Sequence, residues 1–430
     1  MPNVSMRLLL DDVRSFTGEN DIPLSPITVL VGENSSGKTT FLAMLAAVLN
    51  PQFPQARTLF NTAPFDLGSF DTIATYKGGR YGRAESFSIG LTGTETSKER
   101  TVKATYKQRV GQTQLAGFLV KEGSERIECT IEGTKIRGSA TMTLAGGARE
   151  TFNIDSELDS SGEIWIAFAR ALVPPPAARK GEPIDPKFRE ATSRVFDLLY
   201  AHRRGLPVIA IAPVRTKPHR TYDEVNDNFK PEGDHIPYLL SRLRNDPNPK
   251  SSRVWDALDR FGVDAGLYKK LSVKKLGIRP SDPFQVRVKI SGPSVNLPDV
   301  GYGISQSLPI VVESVLAAKQ SVLLVQQPEV HLHPRAQAAL GSFFVRLAKE
   351  DKKQFIIETH SDYLLDRIRI DVAGGLIAHS DVSVLFFDRP HLQTRVHVLG
   401  LDVQGNFENA PPSFRSFFLN EELRLLTRGT

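Results

Sequence analysis

The stretch ITVLVGENSSGKTT, residues 27–40, carries the most informative pattern in this sequence. Its first five residues are apolar or β-branched, which predicts a buried strand of a parallel sheet. The segment that follows, TTFLAMLAAVL (39–49), has helical composition and stops at Asn50-Pro51. Between strand and helix, residues 32–39 match the pattern G-x-x-x-x-G-K-[ST], and this strand-loop-helix setting is the one that supports the motif.

The residue types in this loop suit the binding of phosphate groups. Glycines let the backbone wrap so that consecutive N–H groups point at phosphate oxygens, and the positive end of the helix dipole adds to the attraction. Lys38 supplies a mobile charge for the terminal phosphates, and Thr39 offers a hydroxyl to Mg²⁺. We therefore predict a site for a nucleoside triphosphate and Mg²⁺ formed by Gly32, Glu33, Asn34, Ser35, Ser36, Gly37, Lys38, Thr39 and Thr40.

Composition narrows the class of protein. The chain has 430 residues, with 40% hydrophobic and 24% charged residues, as in ordinary globular proteins. The single cysteine, Cys129, excludes a disulfide framework and a cysteine-based zinc site. No apolar run approaches the roughly 18 residues of a membrane span, and the N-terminus lacks the features of a signal peptide. We expect a cytoplasmic protein without a membrane partner.

The pattern changes along the chain. Residues 76–160 contain short, Thr/Val-rich, partly alternating segments, which predict an antiparallel meander. A proline-rich loop, 173–186, then precedes a stretch that we expect to be mostly helical with one strand, VIAIA (208–212). Residues 201–290 carry 18 lysines and arginines against 10 acidic residues, a net charge of +8 in a chain whose total is +6. After residue 308 the pattern of alternating helices and buried strands returns.

Five segments in a fixed order resemble the ABC-class ATPases of the RecF, SMC and OLD type, often described as AAA family ATPases. Many bacterial members of this family belong to anti-phage defence systems. The five segments are GENSSGKTT (32–40), LGSFD (67–71), VGYGISQSLP (300–309), QQPEVHLHP (326–334) and ETHSDYLLDRI (358–368). They frame the whole chain, whereas residues 76–290 carry little of the resemblance beyond IAPVRTKPHRTYD (211–223).

The resemblance implies roles for individual residues. Ser305 is expected to be the signature serine, which contacts the γ-phosphate held by a second subunit. His360 is expected to be the switch histidine, and residues 328–333 occupy the loop at the dimer interface. In such proteins the residues that match Thr39 and Gln326 hold Mg²⁺, so these two are the expected metal ligands here. The expected catalytic residues are Gln326, Gln327, His360 and Glu329.

One position departs from the family pattern. Two acidic residues normally end the strand that precedes this loop, but here both are amides, Gln326 and Gln327. A glutamine can orient water but cannot accept its proton at neutral pH. Three alternatives remain open: slow hydrolysis with Glu329 or Glu358 partly substituting, a scaffold that binds ATP without significant turnover, or an engineered Glu→Gln exchange that traps ATP.

Together these observations predict an α/β fold, a P-loop NTPase of the ABC-ATPase head type. The expected parts are residues 1–75 and 291–430 as the ATPase core, 76–160 as an antiparallel β subdomain, and 161–290 as an inserted, mostly helical basic module. We expect an ATP-sandwich homodimer or higher oligomer that hydrolyses ATP and acts as a conformational switch with a separate effector, a nuclease or toxin. A transporter ATPase is disfavoured because it would need an LSGGQ signature.

Two features have competing interpretations. The basic segment 201–290, densest at Arg215, Lys217 and Arg220, is either a solvated surface or a contact for DNA or RNA. His331 and His333 lie two residues apart, but we expect a loop and a helix start rather than a zinc pair, because no third ligand is near.

Overall fold

The computed structural model describes residues 6–55, 59–80, 82–95, 98–144, 147–158, 186–200, 207–223, 228–244, 246–279, 282–415 and 424. The chain divides into two compact units. The first comprises residues 1–24, 40–205 and 389–394, and the second comprises 25–39, 206–388 and 395–430. The proline-rich loop predicted at 173–186 lies, apart from its last residue, outside the described residues.

The first unit is built on an eight-stranded antiparallel sheet. Two N-terminal strands lie at one edge, and the six strands of the predicted meander, which is thereby confirmed, follow in chain order. The strands are β1 (Met6–Val13), β2 (Phe16–Leu24), β4 (Ser86–Glu95), β5 (Lys98–Arg109), β6 (Gln112–Glu122), β7 (Glu125–Glu132), β8 (Lys135–Thr143) and β9 (Arg149–Glu157), in the order β2-β1-β4-β5-β6-β7-β8-β9.

Alternation explains why these segments form strands. In β7 every second residue is buried, so one face of the strand packs inward and the other is solvated. A cluster of rings packs inside this unit: Phe60 lies 5.4 Å from Phe87 and 5.0 Å from Tyr106, measured between ring centroids. The unit also contains the helices α2 (Phe70–Ile73) and α3 (Pro186–Tyr200).

The second unit contains a seven-stranded sheet that positions the predicted site. Its first five strands are parallel. Four of them are largely buried, as expected for strands covered on both faces, and β10 at the edge is partly exposed. The last two are antiparallel. In spatial order the strands are β10 (Val208–Ile211), β14 (Val322–Gln326), β15 (Gln354–Glu358), β3 (Ile27–Gly32), β16 (Val382–Asp388), β17 (Arg395–Leu401) and β18 (Phe407–Glu408).

Helices and a small sheet accompany this central sheet. The helix after the phosphate loop, α1 (Lys38–Leu49), starts in the second unit and continues in the first. The others are α4 (Ile236–Leu243), α5 (Pro249–Asp264), α6 (Tyr302–Leu316), α7 (Pro334–Asp351) and α8 (Asp362–Ala373), with a three-stranded antiparallel sheet of β11 (Lys270–Lys275), β12 (Phe284–Lys289) and β13 (Val295–Asn296).

The predicted partition differs from this arrangement in two places. Residues 6–24 were expected in the ATPase core, but they pair with the meander, since Met6 lies opposite Gly93 in the antiparallel sheet. The segment 161–290 was expected to be mostly helical with a single strand. Its described residues contain three helices but also β10, which belongs to the central sheet, and the β11–β12 hairpin.

Candidate functional site

The phosphate loop connects β3 to α1 and has the backbone shape that its glycines permit. Ser35 and Gly37 have left-handed φ values of 61° and 110°. Gly32 has a φ of 141°, and a Cβ there would lie 2.4 Å from the carbonyl oxygen of Phe387. Only glycine fits this position, because a side chain would clash with the backbone of the neighbouring strand. The loop is therefore a fixed cradle of the kind that binds phosphate through backbone N–H groups.

Lys38 lies within this cradle and is 3% exposed. Its ammonium donates to the carbonyl oxygens of Gly32 (2.9 Å) and Glu33 (2.7 Å). Burial lowers the pKa of Lys38, against the opposing effect of nearby carboxylates, first of all Glu358. An ammonium has three N–H donors, so one remains for a further acceptor. A phosphate would supply that acceptor and a negative charge to pair with the ammonium, which otherwise donates to neutral carbonyls. The residues present therefore fit the triphosphate that the motif predicts.

A carboxylate faces the phosphate loop from the neighbouring strand. Glu358 ends β15 and is 4% exposed. The Thr39 hydroxyl lies 3.0 Å from each of its two carboxylate oxygens. Burial raises the pKa of Glu358, while the Thr39 hydrogen bond and the Lys38 charge lower it. The two side-chain types expected around a hard cation, a threonine hydroxyl and a carboxylate, thus occur together here.

The two amides lie at the end of β14, the next strand along the sheet. Gln326 is 3% exposed and pairs in register with Glu358, and the backbone N–H of Gln327 donates to the Glu358 carbonyl (2.7 Å). Gln327 adopts a left-handed φ of 40°, a strained value for a residue with a side chain. The backbone at this position is therefore held in a turn that directs the chain into the loop 328–333.

Glu329, in that loop, is anchored by the end of β15. One of its oxygens accepts from the Thr359 hydroxyl (2.8 Å), and the other accepts from the backbone N–H of His360 (2.7 Å). The His360 side chain is exposed, and partial burial followed by the Lys38 charge lowers its pKa, so that its imidazole is neutral at pH 7. The structure thus brings Glu329, His360 and Lys38 within electrostatic range of one another.

Arg215 is a member of this site that sequence reasoning placed elsewhere. We expected it on a solvated surface or in a nucleic-acid contact, but it is 5% exposed, and its Nη2 donates to the carbonyl oxygens of Gln326 and Gln327, both at 3.0 Å. Burial lowers its pKa to about 10, opposed by the charge of Glu329. That expectation is wrong because β10 pairs with β14, which brings the loop after β10 beneath the end of β14. Lys217 and Arg220 remain exposed.

Ser305 occupies the first turn of α6, as the resemblance implies, but its hydroxyl does not face solvent. It is 8% exposed and donates to the Tyr302 carbonyl of its own helix (2.9 Å). The solvent-facing residues of this motif are Gly301 and Tyr302, the latter 49% exposed. Helical geometry is the reason. A serine hydroxyl in a helix can donate to the backbone carbonyl three residues earlier, as Ser305 does to Tyr302, and it then points along the helix rather than into solvent.

The remaining predicted residues have local roles. The Thr40 hydroxyl accepts from Arg14 (3.3 Å). His333 caps α7, since its Nδ1 accepts from the backbone N–H of Arg335 (3.3 Å), which agrees with the expected helix start. Within the ranges that the structure describes, no group of three or more histidine, cysteine or acidic side chains is arranged to hold a metal ion. No helix in the same ranges is long and apolar enough to cross a membrane.

Comparisons with known proteins find two family models and a relative that match this chain. The family model of the AAA ATPase domain matches residues 183–365, and that of an AAA domain matches residues 7–163. The chain is 24% identical over 366 residues to the OLD nuclease of Thermus scotoductus, a match that covers 82% of this chain and 58% of that protein. This chain thus spans less than two thirds of that relative's length.

Solved SMC heads are more distant likenesses. An SMC head bound to the C-terminal winged-helix domain of ScpA has a TM-score of 0.47 at 14% identity, covering 93% of this chain and 99% of that one. The SMC head domain from Thermotoga maritima has a TM-score of 0.41 at 13% identity, covering 91% and 98%. The expected fold class, an α/β P-loop fold of the ABC-ATPase head type with antiparallel sheets, is confirmed by the architecture and the family matches.

Proposed function

Because the chain belongs to the AAA ATPases of the ABC, SMC and OLD type, we propose that it is an ATP-hydrolysing conformational switch in a bacterial anti-phage defence or DNA-maintenance complex. The observation that carries this proposal is the convergence of the Lys38 ammonium and the Glu329 and Glu358 carboxylates at the carboxyl ends of three adjacent parallel strands. This is the edge of an open α/β sheet at which ligands bind. Its cofactors are ATP and Mg²⁺.

Glu329 is the best candidate for the general base. Both of its oxygens accept one hydrogen bond, from Thr359 and His360, and each keeps a lone pair for a water molecule. Mg²⁺, when bound, neutralises charge that develops on the phosphate oxygens. Lys38 would hold a phosphate oxygen, and the neutral imidazole of His360 can donate one hydrogen bond. With amides at 326 and 327, we expect turnover to be slow.

The second candidate function is a nucleotide-sensing scaffold that binds ATP without significant turnover. Gln326 and Gln327 favour it, because neither amide can take a proton from water or neutralise Mg²⁺. The two functions share ATP binding and differ in whether phosphate is released.

We propose that ATP closes two copies of the chain around shared sites. The first turn of α6 supports this, since its exposed Gly301 and Tyr302 present backbone and a large ring to solvent. Ser305 then acts from within the helix, by holding the Tyr302 carbonyl, rather than as the group that touches phosphate.

A nucleic-acid contact is proposed on the β11–β12 hairpin rather than at Arg215. One face of this hairpin is apolar and buried, whereas the other carries Lys270, Lys274, Arg287 and Lys289. Lys270 lies directly opposite Lys289, and like charges in such a cross-strand pair destabilise a sheet unless an anion neutralises them. A phosphate backbone is an anion that matches this row of charges.

The damage to the target is proposed to come from a separate effector, a nuclease or toxin. The relative from Thermus scotoductus is named a nuclease, but this chain shows no toprim-like or HNH pattern. Cytoplasmic location in bacteria remains part of the proposal.

The switch is tested by sedimentation of the chain with ATP, with ADP and without nucleotide, each with Mg²⁺. We expect ATP alone to shift the chain from smaller to larger species. If the sedimentation coefficient is the same in all three conditions while calorimetry shows ATP binding, the switch proposal fails. Absence of ATP binding would show that the phosphate loop is not a nucleotide site.

A further inference from the structure

We infer that Glu358, and not the strand end at Gln326, provides the carboxylate that holds the divalent cation in this chain. The inference rests on the proposed ATP site and identifies the side chain that gives this site its metal dependence. The carboxylate that holds the cation would thus lie at the end of β15 rather than at the end of the neighbouring strand β14.

The register of the parallel strands makes this move possible. Gln326 lies opposite Glu358, which in turn lies opposite Leu30 two residues before the phosphate loop begins. Glu358 therefore occupies the strand between the amide and the loop, one strand closer to Thr39. Its two oxygens already lie 3.0 Å from the Thr39 hydroxyl, the group that the loop motif assigns to Mg²⁺.

The bonding of Glu358 leaves capacity for a cation. A carboxylate has about four lone-pair positions, and Thr39 supplies a single hydroxyl proton. Among the described residues, no lysine, arginine or histidine forms an ion pair with this side chain, although it is 4% exposed. The positive charge of Lys38 lowers the pKa of Glu358, but its ammonium donates its hydrogen bonds to two backbone carbonyls instead. A buried carboxylate without a positive partner is costly, and a bound divalent ion removes that cost.

The other candidates are less suitable. Gln326 offers only a neutral amide oxygen, which adds no charge neutralisation. Glu329 lies in the loop after β14 and accepts from the Thr359 hydroxyl and the His360 backbone N–H, whereas Glu358 accepts from Thr39, the residue that the loop motif assigns to Mg²⁺. Mg²⁺ in nucleotide sites is bound through one or two carboxylates together with phosphates and water, so a single carboxylate beside Thr39 is sufficient.

The test measures the dissociation constant of ATP by calorimetry with Mg²⁺ and with EDTA, for the native chain and for Glu358→Gln. The amide keeps the shape and can still accept from Thr39. We expect the native chain to bind ATP more tightly with Mg²⁺, and Glu358→Gln to lose that gain by roughly 10- to 100-fold in metal-dependent affinity. Its affinity in EDTA should stay within about twofold, since Lys38 and the loop amides are unchanged.

Two further variants make the result specific. Gln326→Glu combined with Glu358→Gln returns the carboxylate to the paired position on β14 and should restore the Mg²⁺ gain. Glu350→Gln, an exposed residue of α7, is the matched control and should behave like the native chain. Mn²⁺ bound with ATP, followed by electron paramagnetic resonance, gives a readout that does not involve turnover: the Mn²⁺ affinity should fall in Glu358→Gln and recover in the double variant.

The outcomes are separable. If Glu358→Gln retains the Mg²⁺ gain and Mn²⁺ affinity of the native chain, the inference is overturned while the ATP site stands. A native chain that binds ATP equally well in Mg²⁺ and EDTA also overturns it. If the native chain binds no ATP in either condition, the proposed function fails as well. Should Glu358→Gln not fold, Glu358→Ala removes the same carboxylate, and an unchanged Mg²⁺ gain there contradicts the inference.

Discussion

Lys38 is the residue on which nucleotide binding depends most. Lys38→Ala removes the only lysine of the phosphate loop, so we expect a loss of about 1.5–3 kcal/mol of ATP binding, which is roughly 10- to 150-fold in affinity. Calorimetry measures this loss. The fold should remain, because the side chain contacts loop carbonyls rather than the apolar core.

Lys349→Ala, on the exposed end of α7, is the control for a lost positive charge and should leave ATP affinity unchanged. An ATP affinity in Lys38→Ala equal to that of the native chain would show that the phosphate loop is not the nucleotide site.

Residues within the loop were predictable, and residues that reach the loop from elsewhere were not. The pattern at 32–39 is local, so its spacing alone identifies Lys38 and Thr39. Arg215 belongs to the same site only because β10 pairs in parallel with β14, more than 100 residues later in the chain. The pairing of β10 with β14 cannot be read from a single sequence. The only available signal was that Arg215 follows a short apolar strand.

At the scale of elements, the first turn of α6 should control self-association. Among the described residues, a Cβ at Gly301 would have no heavy atom within 4 Å, and its φ is −60°, so larger side chains fit the monomer. We predict that Gly301→Arg keeps ATP binding within about twofold but abolishes the ATP-dependent increase in sedimentation coefficient, since its bulk and charge would block a closely packed face.

Gly301→Ala adds only a methyl group and should associate almost as the native chain does. Unimpaired association of Gly301→Arg in ATP would mean that this turn lies outside the interface.

A buried ion pair joins three elements of the second unit. Asp351 ends α7, and the completely buried Lys353 precedes β15, with its ammonium 2.9 Å from Asp351 and 2.7 Å from the Ser314 carbonyl of α6. Asp351→Asn leaves this lysine charge unpaired, and we expect a loss of about 3–5 kcal/mol in the free energy of unfolding at pH 7. Urea unfolding measures it, and the double variant Asp351→Asn, Lys353→Met should lose less than Asp351→Asn alone.

The pH dependence of this pair has a defined sign. Burial alone would raise the pKa of Asp351, but hydrogen bonds from Arg253 and Lys353 outweigh it, and the pKa lies below the usual 3.8. The folded state therefore binds fewer protons than the unfolded state around that pH, so the contribution of the pair is present above pH 3.8 and is lost as pH falls through the lower folded value. The difference between native chain and Asp351→Asn should be constant from pH 5 to 7. A difference that grows as the pH is lowered would contradict this assignment.

Elements were predicted well where the hydrophobic pattern is continuous. The strands β3 and β10 and the helix α1 lie within one residue of their expected bounds. The β11–β12 hairpin was missed, because its alternation of lysine with Leu271 and Val273 spans only six residues. So short a segment does not distinguish a strand from one turn of an amphipathic helix.

At the scale of the whole molecule, the positive charge of the second unit should produce salt-dependent nucleic-acid binding. We predict that replacing Lys270, Lys274 and Lys289 with Gln lowers DNA affinity and reduces the slope of log affinity against log salt by roughly one unit for each lost contact. Fluorescence anisotropy over a salt series measures both quantities.

Lys349→Gln and Lys319→Gln, outside the hairpin, serve as controls for the loss of surface charge. No DNA binding at low salt, with or without ATP, would assign the hairpin to a protein partner or to solvent.

The division of the chain into units was the least predictable feature. Two N-terminal strands join a sheet whose other strands start 80 residues later, and residues 389–394 return to the same unit. Each of these pairings depends on long-range contacts that local pattern does not encode. The class of fold was nevertheless predictable, because the motifs that define it recur in order along the chain.

We propose that this chain hydrolyses ATP with carboxylates that lie outside the strand end at Gln326-Gln327. Single-turnover hydrolysis of γ-labelled ATP, with protein in excess and Mg²⁺ present, tests this proposal. We expect labelled phosphate to form slowly in the native chain, and Glu329→Gln to lower the rate by about 10²- to 10⁴-fold, the usual contribution of a general base. Bound ATP that yields no phosphate, or a rate unaffected by Glu329→Gln, would contradict it.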